Sequence, residues 1–255
     1  MGYEAIREQT LARQKEIGLV PADTELPPIN PIGTPETRTG PDGQRFPELD
    51  YTRPWDSLAD DEKRLFARMA EVYAGFLAHA DHHIGRVLEY LEHTSQLENT
   101  LIVVVSDNGA SGEGGPNGSV NEMKFANGIP DDLEQNLAQI DELGGPLTYN
   151  HYPTGWAMAF NTPFKMWKRY EFNGGTCDPC IISWPAGTKA RGEIREQYYH
   201  AIDLVPTILD VLGVDGPETI KGHTQSHFDG VSMRDSIDDP SAPSRRKTQF
   251  YAMLG

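Results

Sequence analysis

Apolar residues in this chain of 255 residues fall into a few short patterns, separated by polar segments rich in Gly and Pro. Residues 101–105, Leu-Ile-Val-Val-Val, are mostly β-branched and predict a strand that is buried on both faces of a parallel sheet. Residues 179–184 predict a second buried strand. After Ser57-Leu-Ala-Asp60, which resembles a capping box, apolar residues recur at steps of three or four and predict a long helix on the sheet. They are Leu65, Met69, Val72, Phe76, Ala80, Ile84, Val87 and Leu91.

The remaining segments predict shorter or irregular structure. Residues 3–18 are charged with sparse apolar positions and predict a surface helix that ends at Gly18. Residues 20–55 are dense in Pro, Gly, Thr and Asp, and a connection of that length indicates a segment that wraps over a body partly outside this chain. Residues 131–143 predict a short acidic helix and residues 202–212 another helix, with irregular structure after Asp215.

Two polar side chains follow the first strand directly. Asp107 and Asn108 stand in Ser-Asp-Asn-Gly, at the strand end where ligands bind in open α/β sheets. Their oxygens suit a hard cation such as Ca²⁺ or Mg²⁺. The alternative is that Asp107, Asn108 and Gly109 only build a turn, because all three residue types tolerate positive φ.

Charge and the other candidate ligands narrow the classes of function. A net charge of −16 argues against nucleic acid and anionic membranes as partners, and the longest apolar run is far too short to span a bilayer.

His79 and His83 lie one helical turn apart, but Ala80 replaces the Glu of the His-Glu-x-x-His motif, so core-edge histidines are the better interpretation. Cys177 and Cys180 form no disulfide framework, and we expect buried or idle thiols.

Ordered motifs downstream of Asn108 carry a family resemblance. They are Asn161-Thr-Pro-Phe, Lys168 six residues before Gly174-Gly175, Pro179-Cys-Ile-Ile-Ser-Trp-Pro185 and His200-x-x-Asp203-x-x-Pro-Thr. In this order the chain resembles the sulfatase family, specifically arylsulfatases. The resemblance implies an α/β, alkaline-phosphatase-like sandwich with a largely parallel central sheet flanked by helices, incomplete at the amino end.

The resemblance also implies the site residues. Asp107 and Asn108 would bind Ca²⁺, with Mg²⁺ as a second choice, and Lys168 would contact the sulfate and stabilise charge on the leaving oxygen. Lys165 competes with Lys168 on helical geometry, and the spacing to the glycines favours Lys168. His200 and Asp203 are interpreted as a structural helix entry. Residues 149–155 are a loop that either packs or contacts an aryl group.

The nucleophile implied by the resemblance is a formylglycine, made from the Cys or Ser of a Cys/Ser-x-Pro-x-Arg motif. We expect the whole chain to lack this formylglycine motif, because Cys177 and Cys180 stand in Cys-Asp-Pro-Cys, which has no Arg and lies too late in the order. We therefore expect part of one sulfatase catalytic domain: residues 1–56 as surface helix and wrapping loop, 57–214 as the core, and 215–255 as an irregular lead-in to a further subdomain. Alone, the chain is expected to be inactive.

Three functions stay open at this point. The first is a metal-dependent hydrolase of small-molecule sulfate esters, completed by the amino-terminal half of the domain. The second keeps the fold and hydrolyses phosphonates or phosphodiesters; Asn108 argues mildly against it, because many such relatives carry His there. The third is a non-catalytic sulfatase fragment.

Overall fold

The computed structural model describes residues 1–34 and 48–253, so part of the predicted wrapping segment lies outside the described residues. The described chain forms two compact units, residues 1–87 with 108–178 and Met253, and residues 88–107 with 179–252. The strands are β1 (Ile102–Val105), β2 (Cys180–Ser183), β3 (Thr219–Ile220) and β4 (His223–Thr224). The helices are α1 (Tyr3–Glu16), α2 (Asp60–His93), α3 (Met123–Ala126), α4 (Leu133–Ala138), α5 (Thr154–Phe160), α6 (Asn173–Thr176), α7 (Leu204–Leu212) and α8 (Arg234–Asp238).

The core of the first unit lies where α1 packs against α5. Tyr3 of α1 is buried and meets the rings of Trp55 and Trp156 edge to face, with ring centroids 5.2 and 5.6 Å away. Its hydroxyl donates to the backbone carbonyl of Arg53, which satisfies the polar end of the ring. The predicted amino-terminal helix is therefore confirmed, but one face of it is part of the core.

The long helix α2 begins with a cap that the sequence analysis misplaced. The carboxylate of Glu62 accepts the amide N–H of Ala59 at 2.8 Å, so the capping interaction joins these two residues, not Ser57 and Asp60. Arg53 pairs with the same carboxylate at 2.6 Å. This hydrogen bond from Arg53 is the main cause that lowers the pKa of Glu62. The charged pair fixes the start of the helix against the preceding turn.

Only the amino-terminal half of the apolar stripe on α2 is buried. Leu65 and Met69 are in the core of the first unit, whereas Phe76, Ile84 and Val87 are 64, 45 and 59% exposed. The prediction of a long amphipathic helix is confirmed. The expectation that the whole stripe packs against a sheet is not met within the described residues.

The second unit contains the predicted strands, in a different arrangement. β1 pairs with β2 in antiparallel fashion, with Ile102 opposite Ser183 and Val105 opposite Cys180. Val105 is 45% exposed and Ile181 is 62% exposed. The two strands are confirmed, but the prediction that β1 is buried on both faces is wrong. In the described part of the chain they form a sheet of two strands, which leaves faces uncovered, and no parallel partner of β1 is present.

The rest of the second unit is more ordered than the sequence predicts. A 3-10 turn at 201–203 leads into α7, and β3 and β4 form a small hairpin within a segment predicted to be irregular. The amide N–H of His200 donates to Asp203 at 2.8 Å, and the imidazole of His200 accepts from Ile202. The structural interpretation of His200 and Asp203 is therefore confirmed. In the described residues, each helix is too short or too polar to cross a bilayer.

Candidate functional site

The two predicted metal ligands lie just past the end of β1. The amide N–H of Ser106 donates to the carbonyl of Pro179, which extends the strand pairing by one residue. Asp107, which follows, is exposed, and Asn108 is half-buried. The side-chain amide of Asn108 donates to the carbonyl of Gly109 at 2.9 Å. Both residues therefore stand where the sequence predicts, at the carboxyl end of the strand.

The loop after Asn108, residues 109–118, is fastened to the segment that carries Lys168. The amide N–H of Ala110 donates to the side-chain oxygen of Asn161 at 2.9 Å, and the carbonyl of Ala110 accepts the amide N–H of Lys168 at 3.0 Å. The backbones also approach closely, because a Cβ added at Gly109 would lie 1.7 Å from the carbonyl oxygen of Gly174. Only glycine fits at such a contact. The motifs at Asn161, Lys168 and Gly174 thus meet a loop that lies about 50 residues earlier in the sequence.

Lys168 and its competitor Lys165 have different surroundings. The ammonium of Lys168 donates to a carboxylate oxygen of Glu113 in the 109–118 loop, at 3.0 Å. The hydroxyl of Ser111 donates to the same oxygen at 2.6 Å. The ammonium of Lys165 instead lies 3.7 Å from the ring centroid of Phe172, in a cation–π contact. The structure therefore brings Lys168, and not Lys165, into polar contact with the loop that follows Asn108.

Glu113 is ionised in this environment. Burial opposes ionisation, but the hydrogen bonds from Ser111 and Lys168 outweigh it and hold the pKa of Glu113 below its ordinary value. The side chains of Lys168 and Glu113 are 33 and 24% exposed, so the pair is accessible to a small solute. The sequence analysis missed Glu113; the available signal was a carboxylate inside a Gly-rich loop just after the predicted metal ligands.

His151 is a second residue near this loop, in the segment 149–155 that the sequence predicts either to pack or to contact an aryl group. It is buried, its Nδ1 lies 2.9 Å from the carbonyl of Tyr152, and a Cβ added at Gly114 would lie 2.9 Å from the same nitrogen. Burial is the main cause that lowers the pKa of His151, so the ring is neutral at neutral pH. Packing explains this histidine, whereas Tyr149 is exposed.

The other candidate ligands, two histidines and two cysteines, form no metal-binding arrangement in the described residues. The rings of His79 and His83 meet edge to face with centroids 4.4 Å apart, but both are exposed rather than at the edge of the core. Cys177 and Cys180 are free thiols, and both are exposed rather than buried. Among residues 1–34 and 48–253, no group of three or more His, Cys, Asp or Glu side chains is arranged to hold a metal.

The expectation that the chain lacks a Cys/Ser-x-Pro-x-Arg sequence is wrong, because Ser241-Ala-Pro-Ser-Arg245 has this form. The hydroxyl and the amide N–H of Ser241 both donate to the carboxylate of Asp239, at 2.6 and 2.8 Å. Arg245 pairs with Asp235 on the surface. Ser241 is exposed, and it follows the metal segment instead of preceding it, contrary to the order that the resemblance implies. Its contacts are those of an ordinary surface turn.

Comparison with known proteins supports the family resemblance. The family model described as "Sulfatase" matches residues 20–214. An uncharacterized sulfatase of Schizosaccharomyces pombe is 30% identical over 85% of this chain and 34% of its own length. An arylsulfatase of Klebsiella aerogenes is 27% identical over 96% of this chain and 47% of its own length, and a human N-acetylgalactosamine-6-sulfatase is 26% identical over 72% and 27%.

The chain thus spans between a quarter and a half of the length of these relatives. The matched segment includes Asp107, Asn108, Lys168 and Asp203, which are the residues that the motif analysis selected. Because the family match covers most of the chain, this protein belongs to the sulfatase family.

Proposed function

We propose that this chain forms part of the catalytic site of an arylsulfatase-type, metal-dependent sulfuric-ester hydrolase. The observation that carries the proposal is the attachment of Lys168 to the loop that follows Asn108, through the backbone of Ala110 at 3.0 Å. The side-chain oxygen of Asn161 accepts the amide N–H of the same Ala110, which adds a second contact between this loop and the segment that carries Lys168. Lys168 is thus carried by a segment that is hydrogen-bonded to the loop continuing from Asn108, one of the two proposed metal ligands.

Lys168 would act on the sulfate ester. A positioned ammonium stabilises the negative charge that grows on the leaving oxygen when the S–O bond breaks. A local cation is also needed because the net charge of −16 repels an anionic substrate at long range. The partly exposed position of the Lys168 side chain leaves room for a substrate oxygen to approach the ammonium.

Asp107 and Asn108 would bind Ca²⁺. A carboxylate and a carboxamide next to each other fit a hard cation, and Ca²⁺ at such a site polarises an ester oxygen and offsets the charge of the substrate. Ca²⁺ takes six to eight oxygens. These two side chains supply only part of that set, so we propose that the remaining ligands come from further sulfatase polypeptide.

We propose the same source for the nucleophile. Ser241 stands in a Ser-x-Pro-x-Arg sequence but is committed to a surface turn with Asp239, so we do not assign it as the formylglycine. In this proposal a partner segment, corresponding to the amino-terminal half of a sulfatase domain, supplies the formylglycine.

The test compares the two lysines in an assembly of this chain with a formylglycine-bearing sulfatase segment. Lys168→Ala should lower kcat for an aryl sulfate by about 10²-fold or more, as for the loss of one preorganised donor. Lys165→Ala is the matched control and should change kcat little, because its ammonium lies over Phe172. Equal losses for both variants, or faster turnover of an aryl phosphodiester than of the sulfate, would contradict the proposal.

A further inference from the structure

We propose that Glu113 makes the Lys168 site selective for a monoanionic ester over a dianionic one. The inference rests on the proposed function, which places the ester anion against Lys168. In this proposal the carboxylate of Glu113 is a fixed negative charge beside the ammonium of Lys168, which binds the ester anion. Glu113 therefore determines which anions the ammonium accepts.

The geometry joins the two charges directly. The ammonium of Lys168 lies 3.0 Å from a carboxylate oxygen of Glu113, so an anion that contacts the ammonium also lies within a few ångström of that carboxylate. Ser111 donates to the same oxygen at 2.6 Å and holds the carboxylate in place. The side chain of Glu113 is 24% exposed, so water screens it only in part.

The neighbouring ionisable groups do not cancel the charge of Glu113. Arg169, the next residue after Lys168, is paired at 2.6 Å with Asp50, whose side chain is buried. Tyr170 donates to the other oxygen of Asp50 at 2.6 Å, and His151 is buried and neutral. Lys168 and Glu113 therefore make a local pair with a net charge near zero.

Such a pair treats monoanions and dianions differently. A sulfate monoester carries one negative charge, whereas a phosphate monoester carries about two above its second pKa of about 6. The attraction to Lys168 and the repulsion by Glu113 both scale with the charge of the ligand. A lone ammonium would favour the dianion, and the added carboxylate removes that advantage. Glu113 would thus keep phosphate monoesters from occupying a sulfate-ester site.

The experiment measures binding of methyl sulfate and methyl phosphate to the full chain at about pH 8, by titration followed by NMR. Glu113→Gln keeps the shape of the side chain and removes its charge. We expect it to raise the ratio of methyl phosphate affinity to methyl sulfate affinity about tenfold, the scale of one partly screened charge at a few ångström. Glu113→Asp keeps the charge and should keep the wild-type ratio. Glu134→Gln, an exposed residue of α4, removes an equal charge elsewhere and should leave the ratio unchanged.

Lys168→Met separates the inference from the proposed function. If Lys168→Met weakens binding of both anions while Glu113→Gln leaves their ratio unchanged, the role of Glu113 is wrong and that of Lys168 stands. If Lys168→Met leaves methyl sulfate binding unchanged, both proposals are overturned, and if the wild-type chain binds neither anion, the inference about Glu113 is overturned. A ratio that rises equally in Glu134→Gln would also overturn the inference, because the effect would then be one of overall charge.

Discussion

Replacing Asp203 with alanine should strongly destabilise the unit that contains α7. The carboxylate of Asp203 is fully buried and accepts the amide N–H groups of His200 and Val231, at 2.8 and 2.7 Å. It also accepts two hydrogen bonds from the guanidinium of Arg246, whose side chain is 8% exposed. The substitution would leave the guanidinium of Arg246 without its carboxylate partner and both amides without this acceptor.

The expected cost follows from these contacts. Removing one partner of a buried ion pair costs about 3–5 kcal/mol, because the other charge stays buried and uncompensated. Most domains have only about 5–15 kcal/mol of stability in total, so the unit should be close to unfolding at room temperature. Asp210 on α7 is the control, since its pair with Arg234 is exposed on both sides and spans 3.4 Å, although its other carboxylate oxygen also accepts from the hydroxyl of Ser232. Asp210→Ala should cost only about 1–2 kcal/mol, for one exposed ion pair and one hydrogen bond.

The assay is urea denaturation of the chain, followed by circular dichroism across a range of pH. Hydrogen bonds from Arg246, Val231 and His200 outweigh burial and lower the pKa of Asp203. The stabilisation by Asp203 should therefore be complete above its unfolded pKa of about 3.9 and be lost as pH falls through the lower folded pKa. The Asp203→Ala variant should lack this acid transition. Equal losses of stability in Asp203→Ala and Asp210→Ala would refute the structural role given to the buried pair.

Three further results are expected for the candidate site. Asp107→Ala in an active assembly should remove bound Ca²⁺ and nearly all turnover, and unchanged metal content by elemental analysis would withdraw Asp107 as a ligand. Gly112→Ala should destabilise the 109–118 loop, because the Cβ of the new alanine would lie 2.1 Å from the indole nitrogen of Trp167. A tryptophan fluorescence spectrum and a denaturation midpoint equal to those of the wild type would contradict that contact. The chain alone should show no turnover of an aryl sulfate with or without Ca²⁺, because it offers two identified oxygen ligands of the six to eight that Ca²⁺ takes. Metal-dependent turnover above a heat-treated control would mean that this chain contains a nucleophile. Ser241 would then be the first residue to test.

The elements that the sequence predicts well are those encoded by local periodicity. The spacing from Leu65 to Leu91 fixes α2, and the β-branched run before Ser106 fixes β1. The cap of α2 was misplaced because Ser57 has the right residue type, while the pairing of Glu62 with Arg53 depends on the path of the preceding turn. Local pattern therefore identifies an element better than it identifies its ends.

Strand pairing and the contacts of the candidate site depend on residues that are distant in sequence. The composition of β1 is typical of a buried parallel strand, but its partner β2 runs antiparallel and leaves Val105 exposed. Residue type and spacing selected Lys168, yet they gave no indication of its pairing with Glu113 or of the burial of His151. These features depend on the path of the intervening chain, which a short motif does not determine.

The contacts between the 109–118 loop and the Lys168 segment also constrain how the chain folds. Ala110 and Asn161 are 51 residues apart in sequence, and Glu113 and Lys168 are 55 apart. Contacts of this range form only after a long loop has been closed, and the entropy of that closure is lost before the contacts can offset it. The helices α1 and α2 need no such closure to begin forming. The helices should therefore form first and the contacts of Lys168 late, so that a chain released early from synthesis or refolding would have its helices before it had the proposed anion site.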